Sequence, residues 1–140
     1  MSDYAPSPFP SVREQVALYE ATDGAEGGTL EGRPVVILTS RGAATGKLRK
    51  TPLLRIEHAG AYVVVASYGG ADVHPAWYRN LKADPEARVQ DGPTVRHVRA
   101  REAEGDEKER LWAIADAIWP DFPTYRANAA PREIPILVLE

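Results

Sequence analysis

The feature that most constrains this chain is a pair of apolar, β-type runs separated by a short basic loop. The first run covers residues 35–38 and the second covers residues 52–56. Between them lie two glycines and four cationic side chains, Arg41, Lys47, Arg49 and Lys50. No acidic residue occurs from 32 to 56, although the 140-residue chain has a net charge of −3. Because backbone N–H groups and cations converge on such a loop, we expect it to bind an anion.

Composition limits the classes of protein to which this chain can belong. A pI of about 5.7 argues against general nucleic-acid binding, which usually requires a basic domain. The sequence has no cysteine, which excludes disulfides, thiol catalysis and cysteine-ligated metals and fits a reducing compartment. It also lacks an apolar run of about 20 residues and an N-terminal signal pattern. We therefore expect a cytoplasmic globular protein.

The pattern along the chain predicts six strands and three or four helices. Strands are expected at residues 34–40, 52–57, 61–67, 87–90, 94–102 and 134–139. Helices are expected at 11–23, 75–82 and 106–118, followed by a helical or irregular segment at 121–132. The connections are short and strictly alternating βαβ units are missing, which favours a mainly β, α+β fold: a small closed or half-open barrel with helices packed outside. The strand at 94–102 is heavily charged, which is typical of a half-exposed or edge strand.

The first predicted helix follows a proline-rich, extended lead-in at residues 1–10. Ser11 and Glu14 have the spacing of a capping box. Val12, Val16 and Tyr19 form an apolar stripe at helical spacing. This stripe fits either packing into the core, which is favoured, or a flap over a site. The acidic residues of the helix favour docking on the barrel over contact with lipid at a membrane surface.

The basic loop resembles a phosphate-binding P-loop at first sight, but its spacing differs. A P-loop needs four residues between its glycines and a Ser or Thr after the lysine. Here three residues separate Gly42 from Gly46, and Leu48 follows Lys47. No hydroxyl is therefore placed to bind magnesium, and we do not expect hydrolysis of nucleoside triphosphates. Anion binding by the loop needs only N–H groups and cations, so that expectation stands, with a solvated flexible loop as its alternative.

Other catalytic patterns are missing from the sequence. His58, His74 and His97 do not have metal-ligand spacing. No G-x-S-x-G motif surrounds Ser40 or Ser67, so acyl transfer by an activated serine is not expected. Without an evident acid, base or nucleophile, the chain is typical of a protein in which a bound cofactor does the chemistry.

Three blocks of sequence resemble the deazaflavin-dependent nitroreductase family, split β-barrel proteins that use reduced coenzyme F420. The first block reads VILTSRG at 36–42 and TGKLRKTPL at 45–53. The second reads VASYGG at 65–70 and HPAWYRNLKADP at 74–85, and the third reads REIPI at 132–136. The resemblance implies a split β-barrel domain at 34–140 that binds coenzyme F420, an 8-hydroxy-5-deazaflavin, and can form homodimers. Residues 1–33 would precede it as the lead-in and amphipathic helix.

The resemblance also implies which residues line the cofactor groove. These are Ala43, Ala44, Thr45, Lys47, Arg49, Lys50, Thr51, Pro52, Leu53, Leu54, Val65, Ala66, Ser67, Tyr68, Ala76, Trp77, Tyr78, Arg79 and Asn80. The basic loop would meet the phosphate and polyglutamate tail, and the ring would lie against residues 52–54 and 66–67. Three positions depart from the family pattern, which often has Arg-Lys at Ala43-Ala44 and lysine at Tyr68. The remaining cations of the loop must then compensate for the lost charge.

The implied chemistry is hydride transfer from reduced F420 to a quinone or a nitro compound. Ser67 is the predicted catalytic hydrogen-bond donor, and Leu54, Trp119, Phe122 and Tyr125 are predicted to contact the acceptor. Alternatives are a non-catalytic protein that binds F420 or a related flavin, an FMN-dependent oxidoreductase on the same barrel, and an anion-binding module without a cofactor. No metal is expected at the site.

Overall fold

The computed structural model describes residues 4–140, so the start of the predicted lead-in lies outside the described residues. Its strands are β1 (Thr29–Leu30), β2 (Arg33–Arg41), β3 (Leu48–Leu54), β4 (Glu57–His58), β5 (Ala61–Val65), β6 (Glu86–Asp91), β7 (Thr94–Glu102) and β8 (Ile136–Leu139). The α-helices are α1 (Pro10–Thr22), α2 (Ala76–Ala83), α3 (Gly105–Ile118) and α4 (Phe122–Ala129), and a 3-10 turn covers Tyr68–Gly70.

The strands form one curled antiparallel sheet that does not close. Its order is β1-β2-β6-β7-β8-β5-β4, and β3 pairs with β2 beside this path. Within residues 4–140, β3 has β2 as its only strand partner and β4 has β5. The predicted α+β barrel with outer helices is confirmed as a half-barrel. It has two more strands than predicted, β1 and β4, which are only two residues long and too short to show a periodic pattern.

Strand β3 begins four residues earlier than predicted and ends before residue 57. Proline at position 52 suggested a strand start, but Pro52 lies inside β3, opposite Ile37. A central strand would lose a ladder hydrogen bond at proline, whereas an edge strand can direct the missing N–H outward. The position of β3 at the sheet edge therefore explains the wrong boundary. Strand β8 begins at Ile136, two residues late, because Pro135 has no N–H to donate.

One further expectation is wrong, and another is decided between its two alternatives. The capping box of Ser11 and Glu14 is not formed, because Pro10 opens α1 and the capping position is Phe9, without a side-chain hydrogen bond. Proline suits the first helical position, since its fixed φ matches the helix. Strand β7 is half-exposed as predicted, but it is not an edge strand, because it pairs with both β6 and β8.

Three apolar clusters hold the sheet and helices together. The inner face of the curled sheet surrounds Val36, Leu38, Val64 and Leu137, and Trp77 of α2 fills the same interior. On the outer face, α3 and α4 cover β5 and β8 through residues that include Leu111, Ala115 and Phe122. The third cluster joins α1 to the outer face of β2. Helices thus cover two parts of the outer face, as expected for the predicted barrel.

Helix α1 is attached to the sheet by its predicted apolar stripe. Val16 and Tyr19 are buried against Val35 and Ile37 of β2. The Tyr19 hydroxyl accepts a hydrogen bond from the N–H of Gly92 at 2.7 Å. Its own hydrogen lies within reach of two strand carbonyls, at 3.3 and 3.4 Å. One phenol therefore connects α1, β2 and the β6–β7 turn.

Replacing Tyr19 with phenylalanine tests this connection. Tyr19→Phe removes the partner of the partly buried Gly92 N–H, and we expect the free energy of unfolding to fall by about 1 kcal/mol. Urea denaturation measures the change. Tyr68→Phe is the matched control, because the Tyr68 side chain is 53% exposed and an exposed change of this kind stays within about 0.5 kcal/mol. Equal stabilities of the two variants would show that the Tyr19 hydroxyl does not fasten the helix.

Candidate functional site

A cavity of about 790 Å³ opens beside strand β3. Its wall combines β3, the turn that follows β5, the start of α2 and the aromatic side chains at 119–125. Strand β3 is an edge strand, and β5 ends at Val65, where the chain turns away from the sheet. The cavity therefore lies where the curled sheet is left open.

Most residues that the sequence assigned to a cofactor line this cavity. They are Ala43, Ala44, Thr45, Arg49, Lys50, Thr51, Pro52, Leu53, Leu54, Val65, Ser67, Tyr68, Ala76, Trp77, Arg79 and Asn80. The predicted acceptor contacts, Leu54, Trp119, Phe122 and Tyr125, line the same cavity. Segments that are distant in sequence therefore meet in one place, and their roles in binding stay predictions.

The structure does not bring Lys47, Ala66 and Tyr78 to the cavity wall. Lys47 is exposed in the loop between β2 and β3, and Ala66 is fully buried in the barrel interior. The Tyr78 hydroxyl instead donates a hydrogen bond to Glu102 at 2.6 Å. Burial and then this hydrogen bond raise the pKa of Tyr78 to about 12, so the phenol stays protonated at neutral pH.

The N-terminal segment is a part of the wall that the predicted site residues did not include. Ser7, Pro8, Phe9 and Val12 line the cavity, and Leu30 and Glu31 lie beside them. The apolar stripe of α1 was the sequence pattern that could have indicated this part of the wall. Val16 and Tyr19 of the stripe face the core, while Val12 faces the cavity. The helix therefore packs into the core and also covers a site. Further lining residues that adjoin the predicted segments are Ser40, Gly42, Ile56, Gly69 and Pro75.

Three cations of the basic loop have partners within the protein, two of them outside the loop and one inside it. Arg49 donates hydrogen bonds to the carbonyls of Ala5 and Pro6 at 3.1 and 3.2 Å. Lys50 forms an ion pair with Glu20 at 2.5 Å, and its ammonium group lies 4.6 Å from the centre of the Tyr4 ring. Arg41 donates to the carbonyl of Gly46 at 2.5 Å. The N-terminal segment and α1 thus neutralise part of the charge that the sequence assigned to an anion.

The β2–β3 loop also offers backbone donors. The N–H of Ala43 donates to the Asn80 side chain at 3.0 Å, which fastens the loop to α2. Within the described part of the chain, the N–H groups of Ala44 and Thr45 have no hydrogen-bond partner. Both residues line the cavity. Free N–H groups beside cationic side chains suit an anion.

Ser40 is a buried lining residue with an unmatched hydroxyl. Its side chain is 2% exposed, and among residues 4–140 its Oγ is the only buried side-chain polar atom without a partner. A buried polar group that lacks a hydrogen bond costs about 1–3 kcal/mol. The predicted catalytic residue, Ser67, is half-buried in the cavity wall, and no partner of its hydroxyl lies within the described residues. The Ser40 oxygen has no accessible surface, so Ser67 is the hydroxyl of the two that a ligand in the cavity could reach.

Aromatic side chains form one end of the cavity. Phe122 is buried between Trp112 and Tyr125, in edge-to-face contacts with centroid distances of 5.8 and 6.1 Å. The Trp119 indole N–H donates to the Tyr125 hydroxyl at 3.4 Å, and the Arg33 guanidinium lies 4.9 Å from the Trp119 ring centre. This rigid apolar wall can bind a flat ring by stacking and dispersion.

The turn after β5 has an unusual backbone and packs closely on α4. Tyr68, Gly69 and Gly70 have φ angles of +49°, +63° and +85°. A Cβ atom on Gly70 would lie 3.0 Å from Cα and 3.1 Å from the carbonyl oxygen of Tyr125. Glycine at this position therefore permits the close approach of the turn to the backbone of α4 at Tyr125.

Neither a metal centre nor a membrane span is found in residues 4–140. No three His, Asp or Glu side chains are grouped there so that they could hold an ion. No helix in this range is long and apolar enough to cross a bilayer.

Comparison with known proteins relates the chain to proteins with established cofactors. The family model described as F420H(2)-dependent quinone reductase matches residues 11–140. An F420H(2)-dependent quinone reductase of Mycobacterium tuberculosis is 34% identical over 126 residues, which cover 88% of this chain and 85% of that protein. A solved F420-H2 dependent reductase, FDR-A, is 44% identical with a TM-score of 0.71, over 77% of this chain and 95% of its own. A structure described as a domain-swapped dimer is 41% identical with a TM-score of 0.73, over 96% and 100%.

The two glycines of the turn provide a matched test of its packing on α4. Gly69→Ala places a Cβ in open space and adds only the cost of a left-handed backbone, about 1–2 kcal/mol. Gly70→Ala adds a collision with the backbone of α4, and we expect it to destabilise by roughly 1–3 kcal/mol more. Urea denaturation of both variants measures the difference. Equal destabilisation would mean that the turn does not depend on close contact with α4.

Proposed function

The chain belongs to the F420H(2)-dependent quinone reductase family, and we propose that it reduces a quinone with hydride from reduced coenzyme F420. The observation that carries the proposal is the single cavity in which the predicted cofactor residues and the predicted acceptor residues meet. A reductase needs its cofactor and its acceptor in contact, and one continuous cavity allows this. Nitro compounds are a second acceptor class that the same site would admit.

The residues of the cavity fit a flat ring that carries an anionic tail. The floor beside Pro52, Leu53 and Leu54 is apolar and half-buried, which suits the deazaflavin ring. The free N–H groups of Ala44 and Thr45, close to Arg49 and Lys50, suit the phosphate and glutamates of the tail. We infer that F420 binds with its tail towards the β2–β3 loop and its ring towards Ser67.

The chain's own residues would then divide the work of the reaction. When bound, the reduced coenzyme supplies the hydride. Ser67 and the neighbouring backbone N–H groups would donate hydrogen bonds to the acceptor oxygen, where negative charge develops. Trp119, Phe122 and Tyr125 would hold the acceptor ring in place, which supplies orientation. Phe9 and Val12 would exclude water from the open side.

A closed acceptor pocket would favour the alternative of a non-catalytic F420-binding protein. In the structure the aromatic residues line the same open cavity as the cofactor residues. This arrangement supports the enzyme over the binding protein. Membership of the family removes the alternative of an anion-binding module without a cofactor.

We also propose that the chain forms a homodimer. The support is the 41% identical structure described as a domain-swapped dimer, which aligns with 96% of this chain. Light scattering coupled to size-exclusion chromatography distinguishes a dimer from the 15.3 kDa monomer.

A titration followed by turnover tests the proposed function. F420 added to the purified protein should bind at micromolar concentration, as measured by fluorescence, whereas FMN should bind at least tenfold more weakly. Menadione added to the reduced F420 complex should then be reduced. F420 binding without reduction of menadione or a nitro acceptor would support the binding protein, and the lack of any F420 binding would exclude both.

The Glu20–Lys50 ion pair gives a sharper test of the tail-binding loop. Glu20→Gln removes the carboxylate that pairs with Lys50, so an incoming anion no longer competes with it. We expect F420 to bind roughly two- to fivefold more tightly at low salt, in line with the energy of a partly exposed pair. Fluorescence titration at low and high salt measures this change.

The control for this variant is Glu57→Gln, which removes the same charge from a pair with Arg55 outside the cavity wall. It should leave the affinity for F420 unchanged. If the two variants bind F420 equally well, the tail does not run past Lys50.

A further inference from the structure

Arg132 donates hydrogen bonds to three backbone carbonyls around the turn that carries Ser67. Its Nε donates to the carbonyl of Ala71 at 2.9 Å, and its two terminal nitrogens donate to the carbonyls of Ala66 at 3.1 Å and Ser67 at 2.8 Å. One of these nitrogens also lies 3.0 Å from Nδ1 of His74. A single half-buried guanidinium thus holds both ends of the turn and the segment before α2.

The turn needs such an external support. Three successive residues, 68–70, have positive φ angles. The two glycines adopt this conformation freely but also leave the turn flexible, whereas it costs Tyr68 about 1–2 kcal/mol. The hydrogen bonds within the turn run from Gly70 N–H to the carbonyl of Ser67 and from Ala71 N–H to that of Tyr68. The carbonyls of Ala66 and Ala71 bond to Arg132 instead. The guanidinium therefore fixes the entrance and the exit of the turn.

Only arginine can make this set of contacts. Its five N–H donors lie in one plane and point in fixed directions, whereas lysine has one nitrogen on a flexible stem. Arginine cannot accept a hydrogen bond, so Nδ1 of His74 must be unprotonated to accept from it. Burial and then the charge of Arg132, together with that of Arg79, lower the pKa of His74 against the opposing charge of Glu102. The ring is therefore neutral at neutral pH, as the contact requires.

We propose that Arg132 is a positioning residue for quinone reduction, which acts by holding the Ser67 turn in its left-handed conformation. Arg132 does not line the cavity, so its effect would pass through the turn to the Ser67 hydroxyl and the nearby N–H groups. The proposal rests on the proposed function for the reaction itself, but its structural half can be tested without the coenzyme.

Hydrogen exchange in the coenzyme-free protein tests the structural half. In Arg132→Lys, the hydrogen-bonded amides of Ala66, Gly70 and Ala71 should exchange at least tenfold faster, while those of β6 and β7 keep their wild-type rates. The matched control is Arg101→Lys, which makes the same change at an arginine of β7 that forms ion pairs with Glu107 and Glu140. Arg101 is far from the turn in sequence and lies outside the cavity wall. Unchanged exchange at 66–71 in Arg132→Lys would overturn the proposal. Arg132→Gln serves as the second variant if the lysine variant does not fold.

A double-mutant cycle tests the catalytic half. With F420 bound, Arg132→Lys should lower kcat for menadione at least tenfold in the wild-type background. It should lower kcat less than twofold in the Ser67→Ala background, because the group that it positions is already gone. A further tenfold loss in that background would show a general structural role instead. If the wild-type protein reduces no quinone, the proposed function has failed, and the exchange experiment alone decides whether Arg132 holds the turn.

Discussion

The burial of strand β2 on both of its faces is the constraint on which the rest of the structure depends. Val36 and Leu38 point into the curled sheet, and Val35 and Ile37 point towards α1. Burial of four such side chains contributes on the order of 6–12 kcal/mol before entropy is counted. Because β2 is apolar on both faces, the chain must place the sheet interior on one side and a helix on the other. This position also fixes β3, which hydrogen-bonds to β2 along its whole length.

The candidate site follows from where β2 and β3 leave the core. Their connecting loop has no large apolar side chain to bury and is held by the Asn80 side chain. Helix α1 packs on β2, which places Glu20 next to Lys50. The segment before the helix lies next to Arg49, which donates to the carbonyl of Ala5. The same packing that builds the core therefore covers and partly neutralises the cavity. Under the proposed function, an anion bound at this loop would compete with Glu20 for Lys50.

Local patterns predicted much of this arrangement, and long-range contacts account for the rest. The bounds of β7 and the inward direction of Trp77 followed from alternation and helical spacing. The edge position of β3, which permits Pro52 in mid-strand, depends on sheet order and could not be read from a local window. The role of Arg132 depends on carbonyls more than 60 residues away in sequence, and no spacing rule connects them. The apolar stripe of α1 allowed two interpretations, packing into the core or a flap over a site. In the structure its residues both pack on β2 and line the cavity.

The most direct test of the central claim, that this cavity holds the coenzyme, is a map of the residues that respond when F420 binds. The 15.3 kDa chain is small enough for amide chemical shifts of 15N-labelled protein to be followed through a titration. Shifts should concentrate in residues 43–54, 65–69 and 76–80, and those of β7 should remain in place. Shifts confined to β6 and β7, with the residues of the cavity unchanged, would contradict the account.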